Sequence, residues 1–140
     1  KALEKIRAAG AVHIGGDQHI STVIQHGIEE FDDGPWAFIV PASVNDYYGR
    51  WWWPEDEKPG KNSNGKLPWN GQFLDGFDNK ITMHAYANPE NEADGAGYGL
   101  IKFRKKAQEV VFECWPRTAD VTSMEAKHFP GWPVKVILLN

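Results

Sequence analysis

The stretch AVHIGGDQHI, residues 11–20, is where the fold and the chemistry of this chain meet. Ala11 to Ile14 form a short apolar run, and Gly15 and Gly16 end it, the pattern of a strand stopped by two glycines. Asp17 and His19 follow one residue apart, so a tight turn at a strand end carries a carboxylate and an imidazole. Strand ends of α/β sheets are where sites gather. The spacing alone leaves two readings open. In one, Asp17 caps the turn and His19 is satisfied by a backbone carbonyl. In the other, both side chains are metal ligands, and the glycines let the backbone approach an ion or a phosphate closely.

Working outward, KALEKIRAA reads as a short helix. Leu3 and Ile6 lie one turn apart, charges fill the other face, and Gly10 suits its C-terminal stop. STVIQHGI favours a strand because Thr22, Val23 and Ile24 are β-branched. EEFDDGP is a turn. WAFIVPAS contains a continuous apolar run, the mark of a strand buried on both faces. ITMHAYA alternates, which predicts Ile81, Met83, Ala85 and Ala87 on one face. YGLIKF and EVVFECW flank RKKAQ as a β-hairpin, with Ile101 and Phe103 sharing an inner face with Val110, Phe112 and Cys114. FPGWPVKVILLN holds a last strand. From Asn45 to about Asn79, Gly, Pro, Asn and Trp dominate without lasting periodicity, which predicts a long functional loop. The expectation is a single α/β domain, rich in β-strand, over residues 1–140. Its opening helix has a thin apolar face and its final strand has no cap, so both ends read as cuts in a larger protein.

Composition narrows the classes. The chain has 140 residues, 41% hydrophobic and 24% charged, as expected for one globular domain with a sizeable core. Net charge is -4 and no Lys/Arg run exceeds three residues, which argues against a nucleic-acid groove. No apolar run approaches the roughly 18 residues of a membrane span, and no secretory signal is present. A single cysteine, Cys114, excludes an internal disulfide and a CxxC zinc site, so any metal must take His and carboxylate ligands. Cys114 itself reads as an inert core thiol. Seven Trp are present, and Trp51, Trp52 and Trp53 are consecutive. Three adjacent indoles cannot all point inward, so at least one is expected on a surface, cleft or interface.

The other candidates are weaker singly. His13, His26 and His128 read as ordinary hydrogen-bonded or exposed residues. His84 stands opposite the apolar face of its strand, from which it can reach a cleft. Asp32-Asp33 and Glu55-Asp56-Glu57 read as solvated loop charges. No G-x-S-x-G elbow, phosphate loop or dinucleotide fingerprint occurs.

Taken in order, HIGGDQHISTVIQHG, WAFIVPASVNDYYGRWWWP, GFDNKITMHAYANP and GYGLIKFRKKAQEVVFECWPR resemble the C-terminal part of a bacterial metallophosphoesterase. The resemblance covers about Ala11 to Arg117 and is greatest to the alkaline phosphatase D (PhoD-like) branch. That branch carries a late G-D-x-H motif at a strand end, then a strand, then an apolar strand entering a Pro/Ser turn. Gly16-Asp17-Gln18-His19 and Pro41-Ala42-Ser43 match that order.

The resemblance implies a calcineurin-like sandwich of two β-sheets flanked by helices. It also implies a two-metal centre of Fe, Ca, Mn or Zn that hydrolyses a small phosphate ester. His19 matches the late metal-ligating His, and Asp17 stands where a ligand or an orienting group is expected. An early D-x-H motif would require a G-D-x-x-D-like strand end and a G-N-H-D/E downstream, and neither follows. The early ligands are therefore expected upstream, in the missing N-terminal part of the same domain, and the chain alone is expected to be inactive. The family further implies export to the periplasm or outside the cell. Trp51, Trp52, Trp53 and His84 are candidates for the substrate cleft. A competing expectation comes from the Trp-rich loop, whose exposed rings suit sugar faces. It makes the chain a non-catalytic carbohydrate-binding or interaction module.

Overall fold

The computed structural model describes residues 1–43, 70–87 and 96–137. Over these residues it is a mostly β fold with two sheets and one α-helix, α1 (Ala2–Ala8). The helix ends as its sequence predicts. Gly10 takes φ +59, Ala11 N–H donates to Ile6 O at 3.1 Å, and Gly10 N–H donates to Arg7 O at 2.9 Å. This pair of bonds is a Schellman closure, which satisfies carbonyls the last turn would leave open. Among the described residues, no helix is long and apolar enough to cross a membrane.

The larger sheet contains β1 (His13–Gly15), β2 (Ser21–His26), β3 (Trp36–Ile39), β4 (Gly71–Leu74) and β5 (Lys80–Ala87), ordered β1-β3-β2-β5-β4. Among the described residues only β1 and β3 run parallel; the other pairs are antiparallel. The smaller sheet contains β6 (Gly97–Arg104), β7 (Glu109–Pro116) and β8 (Val134–Ile137), all antiparallel. The stretch read as an aperiodic loop thus contains β4. Four residues are too few for an alternating pattern to stand out, although Gly71 and Phe73 do alternate as buried against exposed Gln72 and Leu74.

One face of the larger sheet, with Val23, Phe38, Ala85 and Ala87, packs against Val110, Phe112, Cys114 and Val136 of the smaller sheet. Phe38, fully buried, lies 5.2 Å from the Phe112 ring and 5.6 Å from the Trp132 ring. Full burial of such side chains stabilises by about 1.5–3 kcal/mol each, so this seam holds the sheets together. The segment after β7 crosses back over the smaller sheet. Tyr98 Oη donates to Ala119 O at 2.5 Å and Phe129 N–H donates to Cys114 O at 3.0 Å, which brings Phe129 and Trp132 into the core.

Two face assignments differ from the alternation read in the sequence. Val23 pairs with Ala85 while the next residue, Ile24, pairs with Met83, so His84 is an extra, unmatched residue. This β-bulge shifts the phase by one. Ala85 and Ala87 therefore face the inter-sheet core, whereas Ile81 and Met83 join Phe73, Tyr86 and Ile24 in a second cluster. The hairpin register is as expected, Ile101 against Phe112 and Phe103 against Val110. Phe103 is nevertheless 66% exposed although its partner Val110 is buried in the core, because β6 is an edge strand of the smaller sheet and β7 its centre.

Candidate functional site

The order β1-β3-β2 forces the residues between β1 and β2 to arch over the carboxyl end of β3. That arch is residues 16–20. It is anchored on both sides, by Val40 N–H donating to Gly15 O at 2.9 Å and by Ser21 Oγ donating to Ile39 O at 2.8 Å. The exit of β3, Pro41-Ala42-Ser43, starts from the same sheet end, and Ala42 O accepts Gly97 N–H at 2.9 Å. The two segments matched to the family motif order thus share one end of the sheet.

Left-handed backbone in the arch falls on Asp17 (φ 69) and His19 (φ 55). The adjacent glycines, which would take it without cost, have none of it. A methyl at Gly16 would meet Val40 at an ordinary 3.7 Å, and one at Gly15 would meet the flexible Ile39 side-chain end at 2.9 Å and the His13 ring at an ordinary 3.8 Å. Packing therefore does little to demand Gly15-Gly16. The Asp17 side chain is exposed and His19 is half-buried with a partner of its own. The donor types, a carboxylate and an imidazole, fit a hard or borderline divalent ion. Among the described residues no three His, Cys, Asp or Glu come close enough to hold one, so this pair is short of a full ligand set.

The remaining histidines are elsewhere. His84 sits on the bulge of β5, and its ring centroid is 4.4 Å from that of Trp36, at the opposite end of β3 from the arch. The fold does not bring His84 to Asp17 and His19. Burial holds its pKa below the usual imidazole value, against an upward pull from Asp32. Its Nε2 is buried without a partner, and its carbonyl accepts Asn70 Nδ2 at 2.7 Å. His26 is also lowered, first by burial and then by His13, with Asp75 opposing. Trp51, Trp52, Trp53 and Glu55-Asp56-Glu57 lie outside the described residues.

Asp33 is more than a solvated charge. Its carboxylate accepts N–H bonds from Ile28 at 2.6 Å, Glu29 at 3.0 Å and Glu30 at 3.1 Å, which hold its pKa below the usual range and fix the β2–β3 turn. Cys114 is the inert core thiol expected, its pKa pushed up to about 12 by burial despite a hydrogen bond with Ser21. Sequence reasoning missed Glu113, a buried carboxylate on the outer face of the smaller sheet. Lys102 Nζ lies 2.5 Å from its Oε1, Trp115 Nε1 donates to its Oε2 at 3.0 Å, and His128 Nε2 lies 3.7 Å away. Burial pushes this carboxyl up, but Lys102 and Trp115 outweigh it and the net shift is downward. The strand alternation that predicts Phe112 and Cys114 inside puts Glu113 outside; only the returning 117–133 segment covers it. No family model, curated protein or solved structure matches the chain.

Proposed function

We propose that this chain is the β-rich, late part of a PhoD-like metallophosphoesterase whose parent hydrolyses phosphate esters. The fold in this reading is part of a calcineurin-like sandwich, and the parent is exported. The observation that carries the proposal is the arch: left-handed backbone falls on Asp17 and His19 while the neighbouring glycines are left relaxed. Asp and His tolerate that conformation better than most side chains, and Asp32, Asp78 and Gln108 also hold it in this fold; what sets the arch apart is two such residues, one apart, beside glycines that do not take it. Such local strain is a pointer to function. The location supports the same reading, because the arch and Pro41-Ala42-Ser43 both lie at the carboxyl end of the parallel β1–β3 pair.

His19 would hold a metal and Asp17 would hold it or orient its ligands, with the remaining ligands supplied by the parent. A two-metal centre, when bound, clamps the phosphate and lowers the pKa of a coordinated water. This chain's own contribution is to fix the pair: the anchors at Gly15 O and Ser21 Oγ set where the arch begins and ends. The test uses the full-length parent, with metal content and turnover of an aryl phosphate monoester and diester measured on the same samples. His19→Ala should lower bound metal and turnover together, by about 10–100-fold or more. Unchanged metal content and unchanged turnover in His19→Ala would refute the assignment.

A further inference from the structure

The open end of the sandwich farthest from the arch holds a cleft of about 330 Å³, walled by Pro35, Trp36 and Ile137 and rimmed by Arg7 and Gln25. Sites for small molecules occupy about 300–1,000 Å³, so this one has room for a single ring. Its polar groups are held in place before any ligand arrives. Gln25 Nε2 donates to Asp32 O at 2.8 Å and to Gly34 O at 3.2 Å, which fixes the amide and makes Oε1 its acceptor. Arg7 Nη1 donates to Asp33 O at 3.0 Å, with Asp33 Oδ2 at 3.6 Å, which compensates its charge while its other N–H groups remain donors. Asp33 is itself locked by the Ile28, Glu29 and Glu30 N–H groups. The Trp36 ring is in contact with the His84 ring, centroid to centroid 4.4 Å.

Those features select a ligand class. An aromatic wall favours a flat face of C–H groups, and a fixed acceptor beside fixed donors favours hydroxyls, which both donate and accept. The Arg7–Asp33 pairing leaves no net charge to attract a free anion. We propose that this cleft binds one neutral sugar ring, its apolar face on Trp36 and its hydroxyls on Gln25 Oε1 and the Arg7 guanidinium. Preorganised groups keep the ordering cost of binding low, so more of the contact energy appears as affinity. The inference is independent of the phosphoesterase reading, since the cleft and the arch lie at opposite ends of β3.

The test follows the Trp36 indole N–H peak in a two-dimensional NMR spectrum, assigned with Trp36→Phe. Methyl β-D-glucopyranoside, methyl α-D-mannopyranoside and methyl β-D-galactopyranoside are titrated in turn, with acetate and inorganic phosphate as anionic probes. At least one glycoside should shift the peak saturably at millimolar concentration. Gln25→Ala and Arg7→Gln, both at the rim, should each weaken that binding at least five-fold while resonances away from residues 25–36 and Arg7 stay unchanged. No saturable shift with any of the three glycosides would overturn the proposal. So would a saturable response to acetate or phosphate in place of sugar, or binding that survives both rim substitutions.

Discussion

Replacing Asp17 with glycine separates a turn built for stability from one built to present a side chain. Asp17 is exposed and sits at φ 69, so its side chain gives the fold little burial while its backbone holds a left-handed conformation. Relief of that conformation is worth at most about 1–2 kcal/mol, less for Asp than for other side chains, and the greater chain entropy of glycine takes back about 0.5–1 kcal/mol. The net is a gain of roughly 0.5 kcal/mol, or about 2 °C in the thermal midpoint at this chain length. Asp17→Ala should do the reverse, because alanine carries a Cβ in the left-handed region and lacks the local hydrogen bonding that helps Asp tolerate it. Thermal unfolding of wild type, Asp17→Gly and Asp17→Ala by circular dichroism gives the order directly. The expected order is Asp17→Gly at or above wild type, and Asp17→Ala below both. If Asp17→Gly instead lost more than about 1 kcal/mol, the typical worth of a capping residue, the carboxylate would be holding the turn together. The arch would then be a capped turn, and the functional argument drawn from its strain would fail.

Other consequences can be read in the same preparations. Phe38→Ala should cost about 3–5 kcal/mol, and in a cycle with Phe112→Ala the pair should show a coupling of about 0.5–1.5 kcal/mol; additivity would mean that the two rings do not interlock the sheets. Phe103→Ala, at a 66% exposed position, should change stability by no more than about 0.5 kcal/mol. Because the Glu113 carboxyl is held below its usual value in the folded protein, its contribution is present above the unfolded carboxyl range and lost as pH falls through the folded value. Wild type should therefore lose stability on acidification more steeply than Glu113→Gln, and parallel acid-unfolding curves would contradict the cluster. Cys114, with a pKa near 12, should resist a thiol reagent at pH 8 until the chain is unfolded, and prompt reaction of the native protein would contradict its burial.

Local chemistry was enough for several elements. The helix and its Gly10 stop, the β-branched run of β2, the apolar run of β3 and the β6–β7 register are all decided by residues close in sequence. So is the strand–glycine–Asp–His order of residues 13–19, which already held both readings of the turn. Other features depend on partners far along the chain. The bulge at His84 is set by its pairing with Val23 and Ile24, about 60 residues away by number, and no periodicity within ITMHAYA reveals it. Burial of Glu113 depends on a segment that returns after the strand has ended, and exposure of Phe103 on the edge position of β6 in its sheet. The sequence by itself determined most of the strands, though not β4, and the Asp17–His19 pair, because propensity and alternation act between neighbours. Only the tertiary structure decided that Asp17 and His19 hold the left-handed backbone of an arch over β3 while His84 stands at its far end, because strand order and register arise from contacts between distant segments.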